Sequence, residues 1–340
     1  MKVIDFFNLE DFKMSIPFTA IGARTCYSSK DLNYLLNDPR VVSREDRAKF
    51  LSKLGNYKHF SVFAHSFAYK EIGEMNALRI GATYFKSHYN PKYPDVIGVS
   101  LRHYLEDLLW TDEDAYQKAF EKMAEYDTPV EPLGKKENVT LIGILKEYDG
   151  YGVFYIDNVS RTMTHQLVRH TTLNFSQRSQ RYASETDNYT IIPPSILEND
   201  KSINNKILIE DLKNIEKYLR DSLDLLQNSE IKEKAFEIIK RRVSDFKIPE
   251  GSITAEDLIK ITDEFSEMIY DTLVHYFKIK REDARFVLPH GRKTTIVVSG
   301  TLSWLEDFIT KRTEPHAQWE IRNVATQMKE LLQEQNVSVV

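Results

Sequence analysis

The sequence predicts an α+β fold: one mixed domain over residues 1–340, with a central sheet, long helices and a helical extension at 195–283 inside it. Three observations carry that expectation. Aromatic and β-branched runs such as "FSVFAHSFAYKEI" and "TTIVVSG" read as strands. Charged amphipathic stretches between 195 and 283 read as long helices. No internal repeat, low-complexity tract or Gly/Ser linker separates them, so the helical middle reads as an insertion within one domain.

Taken in order, "SREDRAKFLSKLGNY" opens on a Ser43 cap with Asp46 three residues on and continues with helical spacing. "FSVFAHSFAYKEI" alternates like a strand, and "EDAYQKAFEKMAEYD" is a charged helix. "TLIGILKEYDGYGVFYID" fits either a helix or a strand pair. In "NVSRTMTHQLVRH", Val159, Met163 and Leu167 fall at i, i+4 and i+8, one buried helical stripe. That helix is expected to end near His170, because "TTLNFS" favours extended or turn backbone. Two long helical stretches follow, parted by "IPEGSIT" with Pro249 and Gly251. "PHG" then makes a turn, "TTIVVSG" a strand, and a helix runs through "HAQWEIRNVATQMKELLQEQ".

Composition bounds the function. A chain of 340 residues, 41% hydrophobic, can bury a substantial core. The net charge of −5 provides no global basic field for nucleic acid or an anionic membrane, so any anion site must be local. "MKVIDFFNLEDF" lacks the pattern of a signal peptide, and no run of about 18 apolar residues follows, which reads as a cytoplasmic protein. The single cysteine, Cys26, excludes an intrachain disulfide and a Cys-rich zinc site, and reads as a small half-buried residue. The nine histidines show no HExxH spacing, so no metal site is expected.

The chemistry concentrates in "RHTTLNFSQRSQRY", residues 169–182, where arginines and a histidine sit among hydroxyl and amide side chains. Gln166 and Arg169, three apart on the expected helix, share a face away from the apolar stripe. Arginine offers a planar fork of donors suited to phosphate, and glutamine a donor and an acceptor suited to a pyrimidine edge. From spacing alone the segment is either a solvated, salt-bridged loop or the lining of an anion site. A nucleic-acid loop is disfavoured by the negative charge and by the spread of basic residues over three distant segments. The later segments are "DARFVLP", with Arg285, and "ITKRTEPHAQWEI", with Arg312, His316, Gln318 and Glu320.

Together, "SRTMTHQLVRH…SQRSQRY", "ARFVLP" and "KR…HAQWEI" resemble the flavin-dependent (alternative) thymidylate synthases. The family signature runs Arg-His-Arg, two residues, Ser, any, Asn-Glu, any, Ser, any, Arg-Tyr. Over Arg169–Tyr182 this chain keeps Arg169, His170, Ser179, Arg181 and Tyr182, with Ser176–Gln177 as a variant of Asn-Glu. "KHFSVFAHSF" stands where the family has His-x-Ser-x-x-Glu-His. The chain departs from the pattern at Thr171, Asn174 and Ala64, and at Thr301 and Ser303, where the family more often has Asn and Arg.

The resemblance implies methylation of dUMP to dTMP, with methylenetetrahydrofolate as carbon donor, FAD as redox carrier and NADPH as reductant, in a homotetramer. It assigns dUMP to Gln166, Gln177, Arg178, Ser179, Gln180, Arg181, Arg285 and Arg312, with Ser179 and Arg312 at the reacting ring. It assigns FAD to His59, Ser61, Arg169, His170, Thr171, Thr301 and His316. The alternative is a divergent relative that binds a nucleotide or flavin with altered or lost chemistry. No nucleic acid or membrane partner is implied.

Overall fold

The structure is a computed structural model that describes residues 1–126, 130–186, 188–227 and 233–338. Its strands are β1 (Phe67–Glu71), β2 (His88–Tyr89), β3 (Val96–Ser100), β4 (Gly134–Lys135), β5 (Val139–Leu145), β6 (Tyr151–Ser160), β7 (Asn174–Gln177), β8 (Ser202–Ile203), β9 (Ile253–Thr254) and β10 (Lys293–Thr301). Helix and sheet are mixed along the chain, as expected for α+β. Among the described residues no helix is long and apolar enough to cross a membrane.

Contacts divide the chain into two compact units. The first comprises Met1–Asp157, Met163–Arg178 and Thr295–Val340; the second comprises Asn158–Thr162 and Ser179–Thr294.

In the first unit, β1, β3 and β2 form one antiparallel sheet. A second sheet runs in the order β4-β5-β6-β10-β7. "TLIGIL" and "YGVFYID" are therefore a strand pair, β5 and β6, registered from Val139↔Ile156 to Leu145↔Tyr151. Both strands are nearly continuous apolar runs buried on both faces, which explains why periodicity could not separate strand from helix. Ser43 caps the helix Arg44–Asn56, its Oγ accepting from Asp46 N. The stretch "FSVFAHSFAYKEI" divides: Phe60–His65 is a 3-10 turn, and only Phe67–Glu71 is a strand.

The helical stripe is corrected too. Val159 lies on β6, and the helix spans only Arg161–Leu167, with Met163 and Leu167 buried. His170 N donates to Leu167 O at 3.0 Å, closing the final turn. Arg169 thus sits past the helix end and shares no helical face with Gln166. The β-branched pair Thr171–Thr172 and Asn174 already favour non-helical backbone, which stops the helix early.

In the second unit, the helices Lys206–Gln227, Glu233–Asp245 and Ala255–His275 pack around Leu212, Leu219, Ile239, Val243, Ile261 and Met268. The last begins at a reciprocal cap between Thr254 and Asp257. β8 and β9 make a short antiparallel pair.

Candidate functional site

The residues singled out from sequence are distributed over both units, and the segment Gln177–Arg181 passes from the first to the second between Arg178 and Ser179.

In the first unit, β7 pairs antiparallel with β10, Gln177 opposite Ile296 and Ser176 opposite Val297. The strand continues by one bond, Arg178 N donating to Thr295 O at 2.9 Å. Gln177 Nε2 donates to Thr164 Oγ1 at 2.9 Å, which anchors the signature strand to the preceding helix. Arg178 is buried, whereas Arg169 and Thr171 are exposed on the turn after that helix. Gln166 is half-buried at its end.

The structure brings His170 and Arg312 together. Arg312 Nε donates to His170 Nε2 at 2.9 Å, and the ring meets Phe308 edge-on at 4.9 Å. A guanidinium can only donate, so Nε2 is the acceptor and the ring proton resides on Nδ1. Burial, then the Arg312 charge, hold the His170 pKa below the ordinary histidine range. The imidazole is therefore neutral at pH 7, with a donor at Nδ1.

His59 and Ser61 belong to another part of this unit. His59 Nδ1 lies 2.6 Å from Tyr27 Oη, and Ser61 is exposed on the 3-10 turn. His316 is exposed just ahead of the helix Trp319–Glu334, whose amino end is capped by Gln318 Oε1 accepting from Glu320 N and Ile321 N. Thr301 is fully buried, and its Oγ1 accepts from Trp304 N at 3.3 Å to cap the helix Leu302–Arg312. Its hydroxyl is used within the fold.

In the second unit, Ser179 closes the turn that carries the signature: its Oγ accepts from Arg181 N at 3.1 Å and its carbonyl from Ala183 N at 2.9 Å. Gln180 is buried. Arg181 Nε donates to Glu282 Oε2 at 2.6 Å, and Arg285 Nε donates to the Glu282 carbonyl at 3.1 Å. Glu282 thus holds Arg181 through its carboxylate and Arg285 through its backbone carbonyl. Glu282 went unnoticed in the sequence; its only signal was the charged run "KREDAR" ahead of "FVLP".

Chemically, the first unit offers cationic, amide and neutral imidazole donors, and the second offers the guanidiniums of Arg181, on the Glu282 carboxylate, and Arg285, on the Glu282 backbone carbonyl. Both sets suit an anion with a flat polar ring better than a cation.

A family model described as thymidylate synthase complementing protein matches residues 151–336. The chain is 32% identical over 175 residues to the flavin-dependent thymidylate synthase of Clostridium tetani, covering 52% of this chain and 55% of that protein. It is 31% identical over 172 residues to the enzyme of the same name from Mycobacterium tuberculosis, covering 51% and 53%. The matched stretch thus spans about half the length of these curated relatives. Among solved structures, thymidylate synthase X from Helicobacter pylori with FAD and dUMP aligns over 55% of this chain and 69% of that one, at 17% identity. The TM-score of that alignment is 0.33, too low to bear on the site.

Proposed function

The chain belongs to the thymidylate synthase complementing protein family, and from that premise we propose that it is a flavin-dependent thymidylate synthase. It would methylate dUMP to dTMP with methylenetetrahydrofolate, FAD and NADPH, as a homotetramer in the cytoplasm. The observation that carries the reading is that the family match at residues 151–336 contains the whole signature, Arg285, Arg312 and His316.

In this reading Arg178, Arg181 and Arg285 hold the phosphate of dUMP, since a dianion matches guanidinium forks in charge and geometry. Arg181 would exchange its bond to Glu282 for one to phosphate. Gln166, Gln177, Gln180, Ser179 and Arg312 hold and polarise the uracil, and Ser179 acts by hydrogen bonding rather than as a nucleophile. The Arg312–His170 bond supports this role by presenting a fixed cation beside a neutral ring.

The donor set fits FAD in part. Arg169, Thr171 and His316, all exposed, are suited to its phosphates and polar ring edge, with His170, His59 and Ser61 as further contacts. Thr301 does not fit, being buried and committed to a helix cap. When bound, the flavin supplies hydride; the protein's residues bind and orient.

The test is an absorbance spectrum with added FAD, then reoxidation of the reduced flavin by methylenetetrahydrofolate, with and without dUMP. A bound-flavin spectrum and dUMP-dependent dTMP formation are expected. The buried Thr301, with Thr171 and Ala64 at signature positions, favours one second reading: a relative that binds nucleotide with altered chemistry. That reading takes over if dUMP binds but no flavin does at saturating FAD.

A further inference from the structure

A buried polar chain runs through the first unit outside the residues assigned above. His65 is fully buried between two serines, its Nδ1 2.8 Å from Ser299 Oγ on β10 and its Nε2 2.8 Å from Ser176 Oγ on β7. Ser299 Oγ is in turn 2.8 Å from Tyr151 Oη on β6. Tyr151 Oη donates to Ala64 O at 2.8 Å and accepts from Asn174 Nδ2 at 3.0 Å. At the other end, burial pushes the Cys26 thiol up to about 11, the neighbouring Ser176 opposing this.

The direction of the bonds from Asn174 to His65 Nδ1 follows from two groups that can act in only one way. Lys86 can only donate, and its Nζ lies 3.3 Å from Asn174 Oδ1, so the amide nitrogen of Asn174 faces Tyr151. Ala64 O can only accept, so the one hydroxyl proton of Tyr151 is committed to it. Ser299 must then donate to Tyr151 and accept from His65 Nδ1–H. Nε2 is an acceptor for Ser176 when the ring is neutral. Full burial of the ring between hydroxyls, with no carboxylate partner beside it among the described residues, favours the neutral form by pushing its pKa down to about 3. The ring fits because position 22 is glycine: a Cβ there would lie 2.4 Å from His65 Cδ2.

Ser176 immediately precedes Gln177 and Arg178. We propose that His65 is a positioning residue for nucleotide binding: held as the Nδ1–H tautomer between Ser299 and Ser176, it locks β7 so that Gln177 and Arg178 are presented in one fixed register. This rests on the proposed function, because it takes dUMP as the ligand of that segment. His65 touches no ligand and acts through the strand.

The experiment compares wild type with His65→Ala, His65→Gln and Ser176→Ala in the full chain. Readouts are dUMP affinity by calorimetry, Tm, and amide exchange of residues 174–178. Selective 15N-histidine spectra give the tautomer, with His65 assigned by its loss in the alanine variant. Expected are an Nδ1–H neutral ring across pH 5–8, dUMP binding weakened about tenfold in His65→Ala, faster exchange at 174–178, and partial rescue by His65→Gln. Ser176→Ala keeps the ring and removes one hydroxyl, so it keeps the test alive if His65→Ala fails to fold. A lower Tm with unchanged dUMP affinity and unchanged exchange at 174–178 would make His65 purely structural and overturn the proposal. So would an Nε2–H or cationic ring in wild type. If wild type binds no dUMP at all, the proposed function fails, and the lock on β7 is still decided by the tautomer and the exchange rates.

Discussion

Both compact units bury a polar cluster, and the two are built on opposite chemistry. The first unit threads neutral groups through its sheet: His65, Ser176, Ser299, Tyr151 and Asn174 share hydrogen bonds with no formal charge among them. The second concentrates ions. Arg292, fully buried, donates to Asp263 at 2.8 Å, to Glu267 at 2.7 Å and to the Glu185 carbonyl at 2.9 Å. Arg242 reaches the other Glu267 oxygen at 2.6 Å, and the Asp271 carboxylate accepts from Thr186 at 2.6 Å with His275 3.8 Å away. Three buried carboxylates, Asp263, Glu267 and Asp271, lie with two guanidiniums there, so a proton helps to balance the site. The two therefore couple stability to pH with opposite sign: the neutral histidine cluster loses stability as pH falls, and the buried carboxyl as pH rises.

The largest expected break is Arg292→Ala. It leaves Asp263 and Glu267 buried without their main cation, and should cost about 3–5 kcal/mol. Urea unfolding followed by a probe in the second unit measures it; a loss under about 1 kcal/mol would mean the hub is not where that unit's stability resides.

Next comes pH. Burial pushes Glu267 from 4.5 to about 7 despite its two arginines. Because the folded state holds this proton more tightly than the unfolded chain, the contribution is complete below about pH 4.5 and is lost as pH rises through about 7. That window represents roughly 3 kcal/mol, and Glu267→Gln should flatten the stability curve across it. The His65 cluster should show the opposite slope: its folded ring stays neutral down to about pH 3 while the unfolded ring takes up a proton below about 6.5, so its contribution is present above about 6.5 and is lost as pH falls.

A steric test sharpens the neutral side. Gly22→Ala drives a methyl into His65, and should destabilise by about 1–3 kcal/mol, read by unfolding at pH 8. The smallest effect is expected at the surface pair Arg181–Glu282, whose side chains are 51% and 33% exposed. Glu282→Gln should change stability by less than about 1 kcal/mol while tightening dUMP binding a few-fold, as Arg181 is released. Unaltered dUMP affinity would remove Arg181 from the phosphate contacts.

Legibility in the sequence followed the range of the interactions. The Ser43 cap and the strand within "TTIVVSG" depend on near neighbours, and were read correctly. The buried pair β5–β6 was ambiguous because a strand covered on both faces loses its alternation. Val159 was placed on a helix because three apolar residues matched a helical period that begins only at Arg161. The segment around Arg169–Tyr182 was legible as anion-binding through its residue types. Its supports were not: Glu282 meets Arg181 across 101 positions, and His65 meets Ser299 across 234. No local pattern encodes such pairings, so only the folded chain shows them.

The strand order of the larger sheet has a consequence for biosynthesis. β10 lies between β6 and β7, yet it is made after both, once the whole stretch from Ser179 to Thr294 has left the ribosome. Until then β6 and β7 each present an open edge of unsatisfied backbone, the kind of edge that recruits other chains. The larger sheet can therefore be completed only when this late strand is placed between β6 and β7. Synthesis at lower temperature, or a holdase acting during that interval, should raise the soluble yield more than any change to the second unit's helices.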